Sequence, residues 1–297
     1  MTRSVKKILT GESAIDGAGV SLTRVFGHRD TDDFDPFLML DAFDSTNPDE
    51  YIKGFPWHPH RGIETITYLL EGDIEHRDSL GNQGSIRNGE AQWMTAGSGI
   101  IHQEMPQASK RMWGAQLWLN LPAHQKMTQP TYGDIRAADI PIVEHDGIRV
   151  RILSGKYHEK EGRFTGKHVR ATYLDVEVLP NYVCTIPTQL GATVFLSILG
   201  GGATFGDGTQ RVAAKQVVLF HDGDRLTLTA NEQGVRFLFL MAKPLHEPIA
   251  WGGPIVMNTK AELNQAFQEL QMGTFIKEGS LPGHTPDSTG KTETVLK

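Results

Sequence analysis

The sequence predicts an all-β protein, and three observations carry this prediction. Glycine provides 32 and proline 15 of the 297 residues, which suits many tight turns between short strands. Short segments of alternating apolar and polar residues recur between residues 63 and 121, with turn signals about every eight to twelve residues. No helical periodicity interrupts that region, so a β-sandwich or β-barrel is expected there.

The segment 63–72 illustrates the strand pattern of the first half. Glu64, Ile66 and Tyr68 are predicted to share one face of a strand, because alternate side chains of a strand point to opposite faces. Thr65 and Thr67 are then expected on the other face. Similar alternation resumes from residue 149 onward, so the second half is expected to be built of strands as well.

Two tandem barrels are predicted, since a more polar segment separates the two strand-rich halves. That segment, residues 131–147, contains glycine and proline and is expected to be the linker. Residues 1–130 are expected to form the first barrel and residues 148–278 the second.

The second half of the chain is predicted to repeat the first without its histidines. When the halves are aligned on a shared glycine, Ile186 falls opposite His58 and Thr188 falls opposite His60. Neither isoleucine nor threonine offers an imidazole, so the second barrel is expected to be metal-free.

A helix is predicted near the C-terminal end, at about residues 260–272. Thr259 and Glu262 have the spacing of a capping box, in which each side chain bonds the backbone amide of the other. An apolar stripe at helical spacing follows, formed by Leu263, Ala266, Phe267 and Leu270. Residues 279–297 contain few large apolar side chains, and we expect them to form a disordered tail.

Composition and charge narrow the class of protein. The net charge of −6 and the isoelectric point of about 6.1 argue against direct binding of nucleic acid, which requires a basic face. Cys184 is the only cysteine, so the chain has no internal disulfide and no thiolate cluster. It shows neither a secretory signal nor an apolar run that could span a membrane. We expect a soluble cytoplasmic protein.

Two pairs of polar side chains predict a metal site in the first barrel. His58 and His60 lie two residues apart in an extended segment, so both side chains project to one face. His102 and Glu104 repeat this spacing after a glycine-rich approach. If the two segments are neighbouring strands, three imidazoles and a carboxylate converge, a set that suits a first-row transition metal. As alternatives, Glu104 could be a surface carboxylate, and His60 could contact the metal ligands without binding the metal itself.

The chain resembles the cupin superfamily and, within it, the pirin family. His58, His60, Glu64 and Gly72 match the usual first cupin motif. The resemblance to pirins covers about residues 5–280, and its most specific motifs are residues 57–68, 94–104, 116–122 and 244–259.

This resemblance implies a bicupin in which only the N-terminal barrel binds metal. It implies His58, His60, His102 and Glu104 as the ligands, with Glu64 outside the ligand set. The implied metal is one divalent ion, iron(II) first, manganese or nickel next, with copper and zinc as further options. The implied activity is that of a quercetin 2,3-dioxygenase, which acts on a flavonol and O2. Glu104 could stay bound to the metal, or leave it to accept the flavonol hydroxyl proton as general base, and the sequence does not decide between these roles.

Two other functions stay open at this point. The chain could be a non-enzymatic regulator that responds to redox state or metal and acts through a protein partner. The metal could also be structural, although structural zinc sites favour cysteine ligands. Phe55, Trp57 and Trp93 lie near the ligands in sequence, and we expect them in the barrel core, with an aromatic pocket as the alternative.

Overall fold

The computed structural model of the protein describes residues 1–164, 166–206 and 209–277. The strands of the first half are β1 (Val5–Thr10), β2 (Glu12–Asp16), β3 (Val20–Phe26), β4 (Phe37–Ser45), β5 (Phe55–His60), β6 (Ile63–Glu71), β7 (Asp73–Asp78), β8 (Gln83–Arg87), β9 (Glu90–Thr95), β10 (Ile100–Pro106), β11 (Met112–Asn120) and β12 (Thr131–Ile135). Those of the second half are β13 (Ile142–His145), β14 (Ile148–Ser154), β15 (Lys156–Tyr157), β16 (Lys160–Glu161), β17 (Thr172–Val178), β18 (Val183–Pro187), β19 (Thr193–Phe205), β20 (Gln210–Ala213), β21 (Gln216–Phe220), β22 (Arg225–Ala242), β23 (Ala250–Gly252) and β24 (Ile255–Met257). The helices are α1 (Thr31–Phe34) and α2 (Lys260–Gln271), and the predicted tail, residues 279–297, lies outside the described residues.

The first barrel consists of two antiparallel sheets. Its larger sheet has the order β12-β9-β6-β11-β4-β3-β2, and its smaller sheet has the order β5-β10-β7-β8. Side chains from the two sheets meet in the space between them: Thr67 of β6 bonds Glu104 of β10, and Gln92 of β9 bonds His76 of β7. The smaller sheet therefore presents the inner face of β10 to the inner face of β6.

The second barrel is built on a sheet with the order β1-β21-β19-β22-β17-β14-β13. The strands β18 and β20 complete it by pairing with β22 and β19. Register shifts between Ile198 and Ala203 interrupt the pairing of the long strands β19 and β22. Such irregularities bend strands, and they allow each of the two to serve both halves of the barrel.

The two barrels pack against each other through a shared apolar core. From the first barrel this core receives Ile66, Tyr68 and Trp93, and from the second it receives Tyr173 and Phe195, all buried. Thr67, between Ile66 and Tyr68 on β6, points into the first barrel instead. As the predicted alternation requires, successive side chains of β6 face the interior of the first barrel and the interface with the second barrel in turn.

The expected domain boundaries differ from the structure at the first strand, within the expected linker, and at residues 249–277, which pack on the first barrel. The strand β1 pairs with β21, so residues 5–10 extend the sheet of the second barrel. Within the expected linker, β12 pairs with β9 of the first barrel, while β13 pairs with β14 of the second. The polar composition that suggested a linker belongs to strands at sheet edges, where backbone groups find a partner on one side and water on the other.

The C-terminal helix α2 begins with the predicted capping box. The Thr259 Oγ1 atom accepts a hydrogen bond from the Glu262 amide (3.2 Å), and Glu262 Oε2 accepts one from the Thr259 amide (2.8 Å). These bonds satisfy backbone donors that a helix start leaves free. Across the described ranges, no helix has the length and apolar character needed to cross a membrane.

Candidate metal centre

The strands β5 and β10 are antiparallel neighbours, and their register brings the histidines together. His58 lies directly opposite His102, and His60 lies opposite Ile100. The ring centroids of His58 and His102 are 4.3 Å apart, those of His58 and His60 4.8 Å, and those of His60 and His102 5.0 Å. One potential ligand nitrogen from each ring lies within 4.8 Å of the others, a spacing that suits coordination of one ion.

Hydrogen bonds to backbone carbonyls fix two of the three imidazoles for metal binding. His58 Nδ1 lies 2.8 Å from the carbonyl oxygen of Pro56, and His60 Nδ1 lies 3.1 Å from that of Pro254. A carbonyl only accepts hydrogen bonds, so both Nδ1 atoms carry the proton and both Nε2 atoms keep a free lone pair. Metal-binding histidines are usually held in this way.

His102 supplies an independent test of whether the site fits a metal. Its side chain is only 1% exposed, and neither ring nitrogen has a hydrogen-bond partner among the described residues. A buried imidazole without partners is costly, whereas a metal ion would satisfy one nitrogen. Burial also lowers the pKa of His58, and it lowers the pKa values of His60 and His102 well below the usual range. All three therefore stay neutral, which is the form that binds metal.

Glu104 lies on the inner face of β10 but is turned toward β6 and β11. A register shift follows His102, so Glu104 lies opposite Phe55. Its carboxylate accepts hydrogen bonds from Thr67 Oγ1 (3.1 Å) and Gln116 Nε2 (3.4 Å). Burial raises the pKa of Glu104 to about 7, against the opposing effect of these two donors. In the described residues the group of mutually close ligand atoms consists of the three histidines, so Glu104 as a fourth ligand stays a prediction.

Glu64 lies on the opposite face of β6, away from the histidines. Its Oε1 atom accepts a hydrogen bond from Thr95 Oγ1 (2.7 Å). Burial raises the pKa of Glu64 to about 7. Because Thr67 on the other face of the strand points to Glu104, the strand itself separates Glu64 from the three histidines.

Sequence reasoning missed two polar side chains in the barrel interior, His76 and Tyr132. His76 on β7 lies directly opposite Glu104, and its Nδ1 atom accepts a hydrogen bond from Gln92 Nε2 (2.6 Å). The Tyr132 ring is 4.9 Å from His76, and its buried hydroxyl has no partner among the described residues. The i, i+2 spacing of His76 and Asp78 on one strand was the available signal, while Tyr132 lay in the expected linker.

The aromatic side chains nearest the three histidines are not all among those expected from the sequence, which were Phe55, Trp57 and Trp93. Trp118 packs edge-on against His60 with centroids 5.0 Å apart, and Trp251 follows at 5.8 Å from Trp118. Trp93 is buried as expected, but it faces the other barrel. Trp57 is 45% exposed, so its expected place in the core is wrong. Its side chain points away from His58 and His60 because it occupies the alternate position of the strand.

Phe55 is half-buried and lies near His58. Its ring lies 6.4 Å from that of His58, and it packs against a small apolar cluster of the first barrel. It therefore packs in the core, as expected, and lies near one of the three histidines.

The second barrel has aliphatic side chains at three of the four corresponding positions, and Thr188 takes the place of His60. Its strands β18 and β22 pair with Ile186 opposite Leu226, as His58 lies opposite His102 in the first barrel. Leu228 then takes the place of Glu104, and all three side chains are buried. A cavity of about 750 Å³ opens elsewhere on this barrel, beside Gly147, and the three histidines take no part in its lining.

Comparison with known proteins identifies both halves of the chain. Residues 19–119 match the sequence model of the family described as Pirin, and residues 173–276 match the Pirin C-terminal cupin domain. A protein of Pseudomonas aeruginosa named "Putative quercetin 2,3-dioxygenase" is 42% identical over 280 residues, which cover 92% of this chain and 98% of that protein. A "Pirin-like protein" of Caulobacter vibrioides is also 42% identical, over 276 residues that cover 92% and 99%.

A solved structure shows the same architecture. The crystal structure of quercetin 2,3-dioxygenase from Acinetobacter baumannii matches with a TM-score of 0.86 and 33% identity, covering 93% of this chain and 99% of that one. The predicted fold class is confirmed: the protein has two tandem cupin barrels and a short C-terminal helix.

Proposed function

The chain belongs to the pirin family, and on that premise we propose that it is a metal-dependent dioxygenase that opens flavonols such as quercetin with O2. The observation that carries this proposal is the convergence of three neutral imidazoles, two of which are oriented through Nδ1 toward carbonyl groups. The quercetin dioxygenase names of similar proteins support the choice of substrate.

The proposed ligands are His58, His60, His102 and Glu104, and the proposed metal is iron(II). Imidazole binds several first-row metals, and a carboxylate shifts the preference toward the harder ones. When bound, the ion supplies a Lewis acid that lowers the pKa of the flavonol hydroxyl and orients the substrate for reaction with O2.

Glu104 is proposed to accept the flavonol hydroxyl proton as well as to bind the metal. A pKa of about 7 places this carboxylate near the optimum for a general base at neutral pH. Thr67 and Gln116 donate to its two oxygens and hold it facing the barrel interior. The proton thus moves to a group that the protein keeps in a fixed position.

The walls of the site suit a flat aromatic substrate. Trp118 offers a ring beside His60, and apolar side chains around it include Leu38, Met39 and Met94. An apolar surrounding excludes water, which strengthens the electrostatic interactions of the ligands and of Glu104.

The proposal is tested by aerobic consumption of quercetin, followed as loss of the flavonol absorbance band. The protein is reconstituted with ferrous iron beside the variants His102→Ala and His221→Ala. Because His221 is exposed on the second barrel, its loss should leave turnover unchanged. Turnover that is lost only in His102→Ala supports the proposal, and equal turnover in all three proteins contradicts it.

A non-enzymatic regulator is the second candidate, and one observation favours it. The carbonyl that orients His60 belongs to Pro254, far along the chain. A change in the bound metal would therefore act on the C-terminal segment through this hydrogen bond. Tight binding of metal through the histidines without any quercetin turnover would favour this function.

A further inference from the structure

A C-terminal strap, defined as residues 249–277, leaves the second barrel and lies across the first. It comprises β23, β24, α2 and the extended end of the described chain. Its residue Ile255 forms a parallel bridge with Arg61, and the Val256 amide donates to the Arg61 carbonyl (3.1 Å). Ile255, Val256 and Phe275 are buried, so the strap is a packed part of the first barrel.

The strap contacts a proposed metal ligand directly. The carbonyl of Pro254 accepts the hydrogen bond from His60 Nδ1 at 3.1 Å. This bond sets both the tautomer and the rotation of the imidazole, and thereby the direction of the Nε2 lone pair. One of the three histidines is therefore oriented by a segment from the other end of the chain.

Arg61, the next residue after His60, joins the strap to both ligand strands. Its Nε atom donates to the Ser98 carbonyl (2.7 Å), which lies in the loop that leads into β10. Its Nη2 atom donates to the Phe275 carbonyl (2.8 Å), and its Nη1 atom lies 2.7 Å from Glu269 Oε2 of α2. With 2% exposure, this guanidinium depends on these partners, because a buried charge without them is strongly unfavourable.

Two glycines next to the ligands make room for the strap. At Gly62, where φ is +77°, an added Cβ would lie 2.0 Å from the Val256 carbonyl oxygen. At Gly99, where φ is +139°, it would lie 2.9 Å from the Phe275 carbonyl oxygen. Only glycine fits both the backbone conformation and the space. The glycines beside both histidine motifs are thus explained by the close approach of the strap.

We propose that strap docking and metal binding stabilise each other, with Arg61 and Glu269 as positioning residues for His60. This inference rests on the metal site of the proposed function. A metal at Nε2 draws electron density from the ring and makes the Nδ1 proton a stronger donor to Pro254. Linkage is reciprocal. The factor by which bound metal favours docking of the strap therefore equals the factor by which the docked strap raises the affinity of the site for metal.

Cobalt(II) binding to the full chain tests one direction of the linkage. The metal is titrated against a competing chelator, with the wild-type protein beside Glu269→Gln, which removes the charge that pairs with Arg61. We expect about a 10-fold loss of affinity, at the lower end of the range for residues that orient metal ligands. Glu159→Gln on the second barrel is the control, because Glu159 is exposed and should not affect the site. Phe275→Leu, which removes the ring beneath Arg61, is expected to act in the same direction as Glu269→Gln.

Hydrogen exchange of the strap amides tests the other direction of the linkage, the effect of bound metal on strap docking. This experiment requires no substitution in the strap. Cobalt(II) should slow exchange of the strap amides, including that of Val256, in the wild-type protein and not in His58→Ala. Equal cobalt affinity of folded Glu269→Gln and wild-type protein overturns the proposal, as does strap exchange that the metal leaves unchanged. Wild-type protein that binds no more cobalt than His102→Ala instead refutes the metal site on which both proposals rest.

Discussion

Thr67 donates a 3.1 Å hydrogen bond to Glu104 across the interior of the first barrel, linking the larger sheet to the proposed base. A donor to a carboxylate favours its charged form, and this bond lowers the pKa of Glu104 against the effect of burial. The balance between these two effects determines the pH at which Glu104 can accept a proton.

Thr67→Val should therefore shift the pH dependence of quercetin turnover. Without the donor the pKa of Glu104 rises above about 7, so the acid limb of the pH–rate profile moves to higher pH. A shift of about one unit is expected, since a hydrogen bond to a charged group contributes about 1.5 kcal/mol. Thr65→Val is the matched control on the same face of β6, and equal shifts in both variants would refute this role for Thr67.

Glu104→Gln tests the proposed base while it leaves the three proposed histidine ligands in place. The amide keeps the shape of the side chain but cannot accept the proton, so turnover should fall by at least about 100-fold. The three histidines remain, and the metal content measured after dialysis should show that the site still binds metal. A variant with near wild-type turnover would remove Glu104 from the catalytic role.

Glu64→Gln should change how stability depends on pH. Since the pKa of folded Glu64 is about 7 and its usual value is 4.5, ionisation of this group costs stability as the pH rises through that interval. The glutamine variant lacks this loss. The difference in the free energy of unfolding between variant and wild type should therefore grow in favour of the variant between those two pH values. Above pH 7 this advantage should level off at no more than about 3.4 kcal/mol.

Urea unfolding of metal-free protein at pH 4.5 and pH 8 measures this difference. An offset between variant and wild type that is the same at both pH values would show that Glu64 has an ordinary pKa.

Thr259→Ala should destabilise the helix α2 by about 1 kcal/mol, because the Glu262 amide loses its acceptor. Hydrogen exchange of the amides in the first turn of α2 measures this loss locally. Thr259→Ser keeps the oxygen and should exchange like the wild type. If serine and alanine variants behave alike, the hydroxyl is not the source of the stability.

Local periodicity was sufficient to predict the histidine cluster. The side chains of His58 and His60 follow from the two-residue repeat of a strand, and a neighbouring strand with the same spacing supplies His102. The same repeat placed Glu64 and Thr67 on opposite faces of β6. The capping box at Thr259 was equally visible, because all its bonds lie within four residues.

Contacts between distant parts of the chain could not be predicted in this way. The bond between His60 and Pro254 joins residues 194 positions apart, and no local pattern specifies it. The position of Glu104 depends on a register shift after His102, which a regular two-residue repeat does not contain. Tyr132 was missed because a polar edge strand has the composition of a loop.

The exchange of chain ends between the two barrels has a consequence for biosynthesis. The strand β1 is translated before its partner β21 of the second barrel, and the first barrel is translated before Pro254 and Phe275, which contact it. The sheet of the second barrel is complete only once β22 has been made, and the first barrel is complete only once translation has passed residue 275. Newly made protein should therefore acquire a fully oriented histidine cluster only after the second barrel has been translated.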